Sequence, residues 1–389
     1  MNCAITRPSN VSNRLLSIDA LRGIIMLLML LDHVRETFFL HMQVPDPMIA
    51  GETPAELFFS RFTAHLCAPV FIFLAGLSAY LYGSKKTYSQ LATSQFLFKR
   101  GLFLIILELT LINFAWTFQL PPAKIFLQVI WAIGFSMIAL AILLWLPRWL
   151  LVVLTVLLIA GHNLLDTLHF PIDHFMHIPW AILHDRGWIE ITDSIKARTS
   201  YPILPWIGLI IFGYLAGSWF TESCNQQQRL KKLNCWGVGL LVGFICLRTI
   251  NIYGDKPWIL AGSWLDTVMS FLNITKYPPS LLFIMLTLGI GLLLLRLLEL
   301  KQNLPWLKPL VTYGSVPMFF YILHLYILKS LYLIAMAIWG TNQGEYFGFD
   351  HVAMIWLVTI ILAILFYPFV KLFSQFKARR KDLIWLKYL

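Results

Sequence analysis

Arg22 and His33 are the two residues whose types and spacing point most clearly to chemistry. They lie eleven residues apart in the apolar segment SIDALRGIIMLLMLLDH. Eleven helical steps of about 100° come within about 20° of three full turns, so both side chains face one side, about 16 Å apart along the axis. Charged and titratable groups within a membrane span usually face a cavity or a protein interior. The pair therefore predicts a stripe with a guanidinium near one surface and an imidazole, a common proton-transfer group, near the membrane centre.

Three further groups compete for the role of His33 or support it. Asp32 directly precedes it and is the candidate for orienting and charging the imidazole, as in a base and orienter pair. His41 in the following loop and His65 at the start of the second span are alternative catalytic histidines. The alternative is that neither residue has a chemical role. Arg22 would then extend its charged end to the inner membrane interface, and His33 would lie at the outer interface. Spacing alone leaves both interpretations open.

Polar residues near the two predicted membrane surfaces are candidates for binding two different substrates. On the predicted cytoplasmic side, Lys99 and Arg100 join Arg22 as candidates for binding an anionic ligand. For the neighbouring Lys85 and Lys86, topology determination is the favoured interpretation. The candidates for contacting an acceptor are Arg35, Arg61, Tyr253, Asp255, Lys276, Tyr277, Tyr321 and His324. The last two of these share a helical face, at positions i and i+3.

Other polar features receive structural interpretations. Glu108 is a lone carboxylate in an apolar span, and we predict that it is protonated or makes a polar contact. His162 and Asp166, or His174 and His177, have spacings that suit zinc if the segment is helical. A proline interrupts this run, however, and no ligand set of fixed spacing emerges. We therefore expect no metal.

The composition excludes a water-soluble globular protein. Of the 389 residues, 59% are hydrophobic and 13% are charged, whereas soluble chains carry about 25% charged residues. No Walker A, GxSxG, HExxH or strand-associated GxGxxG motif occurs, which argues against an ATP-driven pump, a serine hydrolase, a zincin and a dinucleotide enzyme. The five cysteines are scattered and include no CxxC, so no disulfide scaffold is indicated. The fold class that follows is an all-α, polytopic membrane bundle with no nucleic-acid partner.

Ten apolar segments are long enough to be transmembrane helices, which need about 20 residues each. The predicted spans are Leu21–Leu40, Leu66–Tyr82, Leu102–Phe118, Ile125–Leu146, Trp149–Leu165, Ile203–Phe220, Leu233–Ile250, Ser280–Leu298, Val311–Ile338 and Val352–Phe373. The ninth is long enough to be tilted, broken or continued along the interface.

The net charge of +11 is first of all an orientation signal. With the N-terminus in the cytoplasm, 20 of the 30 Lys and Arg residues fall on the cytoplasmic side, so both termini are predicted inside. Residues 1–389 are interpreted as one transmembrane domain, with a short N-terminal segment 1–20 and a basic tail 374–389. The segments Asp32–His65, His162–Pro202 and Asn251–Pro279 are predicted outside, where they build the acceptor side of a site.

The spacing of Arg22 and His33 resembles the arginine–ten–histidine motif of the transmembrane acyltransferase superfamily. Beyond it, segments such as RFTAHLCAPVFIFLAG, QVIWAIGFSMIAL, FLNITKYPPSLLFIMLTLG and YGSVPMFFYILHLY resemble bacterial members of the heparan-alpha-glucosaminide N-acetyltransferase-like family. These segments run from about Arg14 to about Lys329, so the resemblance covers most of the chain.

The resemblance implies acyl transfer across a membrane. Acetyl-CoA or another acyl-CoA enters from the cytoplasm, a histidine near the membrane centre participates, and a sugar amine or hydroxyl on the far side receives the acyl group. It also implies a multi-pass protein of the bacterial inner membrane whose partners are the lipid bilayer, the acyl-CoA and a glycan-like acceptor, and which can be an oligomer. The histidine acts as a general base or carries the acyl group itself.

One departure from the family pattern leaves the catalytic residue open. In the lysosomal member an asparagine aligns with His33, and its active histidine lies further along, near His41 of this chain. We favour His33. Two other classes compete with an enzyme: a proton-coupled transporter or lipid carrier, which also uses intramembrane charges, and an accessory subunit that scaffolds an envelope complex. The absence of evident inverted repeats argues against the carrier.

Overall fold

The structure is a computed structural model that describes residues 15–49, 51–85, 88–302, 304–380 and 382–387. The predicted N-terminal segment up to residue 14 and Lys86 lie outside the described residues. The helices are α1 Leu16–Phe38, α2 Ala55–Ala64, α3 Cys67–Gly83, α4 Gln90–Leu107, α5 Asn113–Thr117, α6 Val129–Leu143, α7 Arg148–Val156, α8 His177–Leu183, α9 Leu204–Ala216, α10 Gln226–Ile250, α11 Trp264–Leu272, α12 Leu281–Leu300, α13 Leu307–Ser315, α14 Pro317–Trp339 and α15 Ala353–Arg379. The three short strands are β1 Lys124–Leu127, β2 Trp188–Glu190 and β3 Lys196–Thr199.

Every predicted span contains a helix, which confirms the predicted all-α membrane fold. Within the described part of the chain, six helical runs are long and apolar enough to cross a membrane: Ala55–Gly83, Arg148–Leu165, Gln226–Ile250, Leu281–Leu300, Pro317–Trp339 and Ala353–Arg379. Two shorter apolar helices are Val129–Leu143 and Leu204–Phe220. The count of ten spans and the cytoplasmic placement of both termini stay predictions.

Two of the predicted spans differ from the helices in detail. The fourth was predicted to begin at Ile125, which is wrong, because Lys124–Leu127 forms strand β1 and the helix begins at Val129. The side chain of Asn113 holds this strand by accepting a hydrogen bond from the backbone N–H of Phe126, at 3.1 Å. The ninth span is broken at Val316, between α13 and α14. A proline at the first position of α14 suits this break, since its missing N–H has no intrahelical acceptor there.

Helix α1 is central to the bundle and packs against α13, α14, α15, α12 and α3. It approaches α13 so closely that a Cβ added to Gly314 would lie 1.8 Å from the carbonyl oxygen of Asp19. One added to Gly23 would lie 2.0 Å from the carbonyl oxygen of Leu310. Small residues at such crossings let helix backbones meet in a membrane. This crossing fixes the end of α1 that carries Arg22.

The segments that were predicted to lie outside the membrane contain ordered elements. Strand β3 pairs in parallel with β1 and antiparallel with β2, which forms a three-stranded sheet. Helix α8 packs on this sheet through a small apolar cluster that contains Ala181, Ile189 and Ala197. These elements brace the region that the sequence assigns to the acceptor side.

Candidate functional site

A cavity of about 690 Å³ begins at a ring of cationic side chains and runs along α1. Helix α1 contributes Arg22, Met26 and Met29 to its wall, and His33 follows one turn later on the same stripe. The Arg22 end of the predicted common face therefore lines the cavity, and the lining ends at Met29, one turn before His33. The basic residues in the lining are Arg22, Lys85, Arg100 and Lys377.

Tyr321 joins this cavity to His33. It is the lining residue that lies deepest along α14, and its ring packs edge-on against the imidazole with 5.9 Å between ring centroids. Trp116 packs edge-on against another part of the same imidazole, at 5.3 Å. The Tyr321 hydroxyl and the Trp116 indole nitrogen are buried, and they approach each other without reaching hydrogen-bonding geometry. Two hydrogen-bond donors thus flank His33.

His33 is held by a second histidine, His324. The distance from His33 Nδ1 to His324 Nε2 is 2.6 Å, and the rings are stacked. His324 Nδ1 lies 2.7 Å from the carbonyl oxygen of Phe320, which can only accept, so this nitrogen carries the proton. In the neutral pair His324 Nε2 then accepts, and His33 Nδ1 donates to it. That tautomer leaves the lone pair of His33 Nε2 available as a base or nucleophile.

Asp32 does not have the orienting role that the sequence predicted for it. Asp32 immediately precedes His33 in the helix, so the two side chains point about 100° apart. The Asp32 carboxylate therefore contacts two arginines instead. It accepts hydrogen bonds from Arg35 Nε at 3.0 Å and from Arg61 Nη1 at 2.6 Å. All three side chains are buried. Asp32, Arg35 and Arg61 therefore form a buried ionic cluster, and His324 supplies the hydrogen bond that holds His33.

The alternative histidines occupy different surroundings. His41 lies beyond the end of α1 in the short helical turn Leu40–Met42, against the backbone of Gly348. His65 is 2% exposed, packs against Phe283, and its Nδ1 makes no hydrogen bond with the described residues. Like His33, neither histidine lines the 690 Å³ cavity, but His33 packs against the lining residue Tyr321.

The predicted donor-binding residues separate into two groups. Arg22 lines the cavity and donates to Asp19 at 2.8 Å and to the carbonyl oxygen of Gly314 at 3.1 Å, which hold its guanidinium in place. Arg100 also lines the cavity. Lys99 is exposed and is absent from the cavity lining, because adjacent helical residues point about 100° apart.

On the predicted acceptor side, Lys276 is buried rather than placed at an open mouth. It is 2% exposed, and its Nζ lies 5.1 Å from the ring centroid of Tyr277 and 5.8 Å from that of Tyr201. The Lys276 ammonium forms no ion pair with a carboxylate of the described residues. Its backbone N–H donates to Asp46, whose other carboxylate oxygen is buried without a hydrogen-bond partner in this part of the chain. Burial raises the pKa of Asp46, and the charges of Arg61 and Lys276 oppose this shift.

Two of the predicted acceptor residues are engaged in the fold itself. The Tyr253 hydroxyl donates to the carbonyl oxygen of Ala160. The Asp255 carboxylate accepts from the Thr275 hydroxyl at 2.7 Å and from the Thr275 backbone N–H at 2.9 Å. Their polar atoms therefore stabilise the loop before α12. Glu108 behaves as the sequence suggested, because its Oε2 accepts a hydrogen bond from the backbone N–H of Trp131 at 3.0 Å.

Sequence reasoning missed several residues that the fold places beside the candidates. Trp116 next to His33 is one, and Tyr201, Asp46 and Arg186 around the Tyr277 ring are others, with the guanidinium carbon of Arg186 4.6 Å from that ring's centroid. They come from segments far apart in the chain, and an aromatic residue in a span ordinarily indicates packing. The sequence contained no local signal that would have identified them.

The comparisons with known proteins identify the family. The model of the heparan-alpha-glucosaminide N-acetyltransferase catalytic family matches residues 14–255, which is more than half of the chain. The matched part includes Arg22, His33 and the walls contributed by α1, α3, α4 and α6, and it ends before α14. No curated protein matches the chain. With this match and its apolar helices, the chain is an integral membrane protein that belongs to the heparan-alpha-glucosaminide N-acetyltransferase family.

Proposed function

We propose that this protein transfers an acyl group, in the simplest case acetyl, from a cytoplasmic acyl-CoA to an amine or hydroxyl of an extracytoplasmic sugar or glycan. The observation that supports this most directly is the cavity itself, which connects a cationic ring to the residue that packs against His33. Family membership supports the reaction class. The inner membrane of a bacterium, where acyl-CoA and periplasmic glycans lie on opposite sides, is the proposed location.

The donor enters at the cationic end. CoA carries phosphate groups, which guanidinium and ammonium groups bind by charge-assisted hydrogen bonds. Arg22, Arg100 and Lys377 supply these charges, and the apolar wall of Met26 and Met29 suits the pantetheine arm. A volume of about 690 Å³ lies within the range of about 300–1,000 Å³ that is typical of small-molecule sites. This arrangement directs the thioester toward Tyr321 and His33.

His33 performs the proton transfer or the covalent step. As a base, its Nε2 removes the proton of the acceptor nucleophile, which attacks the thioester carbonyl, and the CoA thiolate leaves and is protonated. As a nucleophile, Nε2 itself attacks the acyl carbon and expels the CoA thiolate. The acceptor then attacks the acyl-imidazole, which releases Nε2, and the acceptor proton passes to the freed imidazole. In both routes the carbonyl oxygen gains negative charge, which the unpartnered donors of Tyr321 and Trp116 stabilise.

The acceptor side is the region of Lys276, Tyr277 and Tyr201. Aromatic faces with a nearby ammonium group and the free carboxylate oxygen of Asp46 offer both stacking and hydrogen bonds to a sugar. Arg35 and Arg61 contribute indirectly, because their ion pairs with Asp32 and Glu36 fix the end of α1.

The test uses purified protein in liposomes, with radiolabelled acetyl-CoA outside and glucosamine trapped inside, together with a measurement of acetyl-CoA binding in detergent. We expect tight acetyl-CoA binding and labelled N-acetylglucosamine inside, with the rate lowered about 10²–10⁴-fold by His33→Gln. His41→Gln and His65→Gln are the matched controls. Loss of transfer in His41→Gln but not in His33→Gln would move catalysis to His41. Absence of acetyl-CoA binding would reject the proposed function, while binding without transfer to glucosamine would exclude that acceptor.

A further inference from the structure

A second polar cluster lies away from the cavity, where the helical run Arg148–Leu165 ends beside α8. It contains His162, Asp166 and His184, whose ligand atoms all lie within 4.8 Å of one another. His162 and His184 are 1% and 2% exposed, whereas Asp166 is about half exposed. The three residues come from two separate segments of the chain, so only the fold brings them together. The cluster contributes nothing to the proposed acyl transfer.

His162 lacks the hydrogen bonds that a buried imidazole normally makes. Neither of its ring nitrogens has a hydrogen-bond partner among the described residues. The carbonyl of Pro279 approaches the ring without reaching hydrogen-bonding geometry. Leaving a buried polar atom without a hydrogen bond is unfavourable, so a partner for this ring is expected. The adjacent groups of Asp166 and His184 indicate what kind of partner it is.

Asp166 and His184 each place one side-chain atom against a hydrogen-bonding neighbour outside the cluster. His184 Nδ1 lies 3.3 Å from Asp185 Oδ1, and Asp166 Oδ2 accepts from Asn163 Nδ2 at 2.9 Å. Their other atoms, His184 Nε2 and Asp166 Oδ1, face each other at 3.3 Å. A carboxylate on the far nitrogen of a ligating histidine is the usual second layer of a metal site, because it fixes the tautomer that ligates.

The position of His184 Nε2 strengthens this argument. It also faces the carbonyl oxygen of His162 at 3.1 Å, so two oxygen atoms surround one nitrogen. If Asp185 holds the proton on Nδ1, the lone pair of Nε2 is directed at these two acceptors, which is unfavourable. A cation between them removes the conflict. The metal-free alternatives are a neutral His184 with its proton on Nε2, which donates to the carbonyl of His162, and a doubly protonated His184 that donates to both oxygens.

We propose that His162, Asp166 and His184 bind a divalent first-row transition metal ion, foremost Zn²⁺, with the fourth position open to water on the exposed side of Asp166. Two imidazoles and one carboxylate suit zinc, whereas Ca²⁺ and Mg²⁺ prefer oxygen ligands throughout. Ligand atoms around a tetrahedral zinc lie about 3.3 Å apart, so the side chains close in by roughly 1 Å on binding. The ion ties the end of the run Arg148–Leu165 to the loop after α8. This proposal replaces the metal-free expectation from the sequence.

The test measures zinc on the full-length purified protein after chelator treatment and re-addition of Zn²⁺. We expect one tightly bound zinc per chain, at least tenfold weaker binding in His162→Ala and Asp166→Asn, and unchanged binding in the control His174→Ala. Wild-type protein loaded with Co²⁺ is expected to show the intense visible absorption of a tetrahedral site, which needs no variant to fold. Zinc binding that is unchanged in His162→Ala, or wild-type protein that takes up neither metal, would overturn the proposal. The latter result would leave His184 as a protonated structural residue.

Discussion

The two sides of His33 differ in how open they are. On the side of Arg22 lies a cavity of about 690 Å³ with cationic and apolar walls, whereas the cavity on the side of Trp116 and Lys329 measures about 120 Å³. Beyond it, Asp32, Arg35, Arg61 and Lys276 are buried. If the protein has the proposed function, this difference predicts that the donor site is preformed and that the acceptor side must open before a sugar reaches His33.

The largest predicted effect is a loss of stability when the buried ionic cluster around Asp32 is broken. Replacing Asp32 by Asn leaves the two buried guanidinium groups of Arg35 and Arg61 with the part-exposed carboxylate of Glu36 as their one remaining ion-pair partner among the described residues. The free energy of unfolding should therefore fall by about 3–5 kcal/mol. Denaturant unfolding in detergent measures this change. Breaking the exposed ion pair of Lys196 with Glu190→Gln is the matched control, and no measurable loss is expected there. A loss in D32N as small as that of the control would mean that the outer half is not held by this cluster.

The next effect concerns the histidine pair. Replacing His324 by Ala removes the acceptor that holds the proton on His33 Nδ1, so kcat should fall about 10–100-fold while the KM for acetyl-CoA stays constant. Steady-state kinetics separate the two constants. Replacing the exposed His351 by Ala provides the control. A raised KM with unchanged kcat would show that His324 is only part of the wall.

Two adjacent basic residues test the open side. Arg100 lines the cavity and Lys99 does not, although they are neighbours in the sequence. Loss of one charge-assisted contact to a CoA phosphate should raise the KM for acetyl-CoA about tenfold in Arg100→Ala, with kcat little changed. Lys99→Ala should match the wild type. Equal effects in the two variants would show that general surface charge, rather than the cavity, attracts the donor.

The smallest effect concerns the separation of the two sides. Trp116 stands between His33 and the small outer cavity, and its replacement by Ala should admit water to the thioester. Hydrolysis of acetyl-CoA without an acceptor should then rise about two- to fivefold, because water exclusion suppresses this side reaction. Thiol release reports the rate. If the Trp116→Ala variant hydrolyses acetyl-CoA no faster than the wild type, Trp116 only supports the fold.

The sequence predicted the parts of this structure that depend on local periodicity. The apolar runs predicted the helices, and the spacing of Arg22 and His33 predicted one stripe of α1, whose Arg22 end lines the cavity. Contacts between distant segments were not predictable in this way. The hydrogen bond from His33 to His324 joins α1 to α14, and the Asp32 carboxylate bonds to Arg61 rather than to His33, because adjacent helical residues point in different directions.

The beginning of the fourth span was wrong for a related reason. Residues 125–127 are apolar enough to continue a helix, but pairing with β3 and the hydrogen bond to Asn113 hold them extended. Tertiary partners outweighed local preference here. The same applies to Tyr253 and Asp255, whose polarity suggested ligand contact and whose partners are the backbone and side chains of their own fold.

The central claim is that the acyl-CoA thioester reaches His33 through the cavity that begins at Arg22. A structure of the protein with bound acetyl-CoA tests it most directly, because it needs no knowledge of the acceptor. The account predicts the phosphates beside Arg22 and Arg100, and the acetyl carbonyl within hydrogen-bonding distance of Tyr321 or Trp116, about 3 Å, next to His33 Nε2. Acetyl-CoA bound outside this cavity, or with its thioester beside His41 or His65, would contradict it.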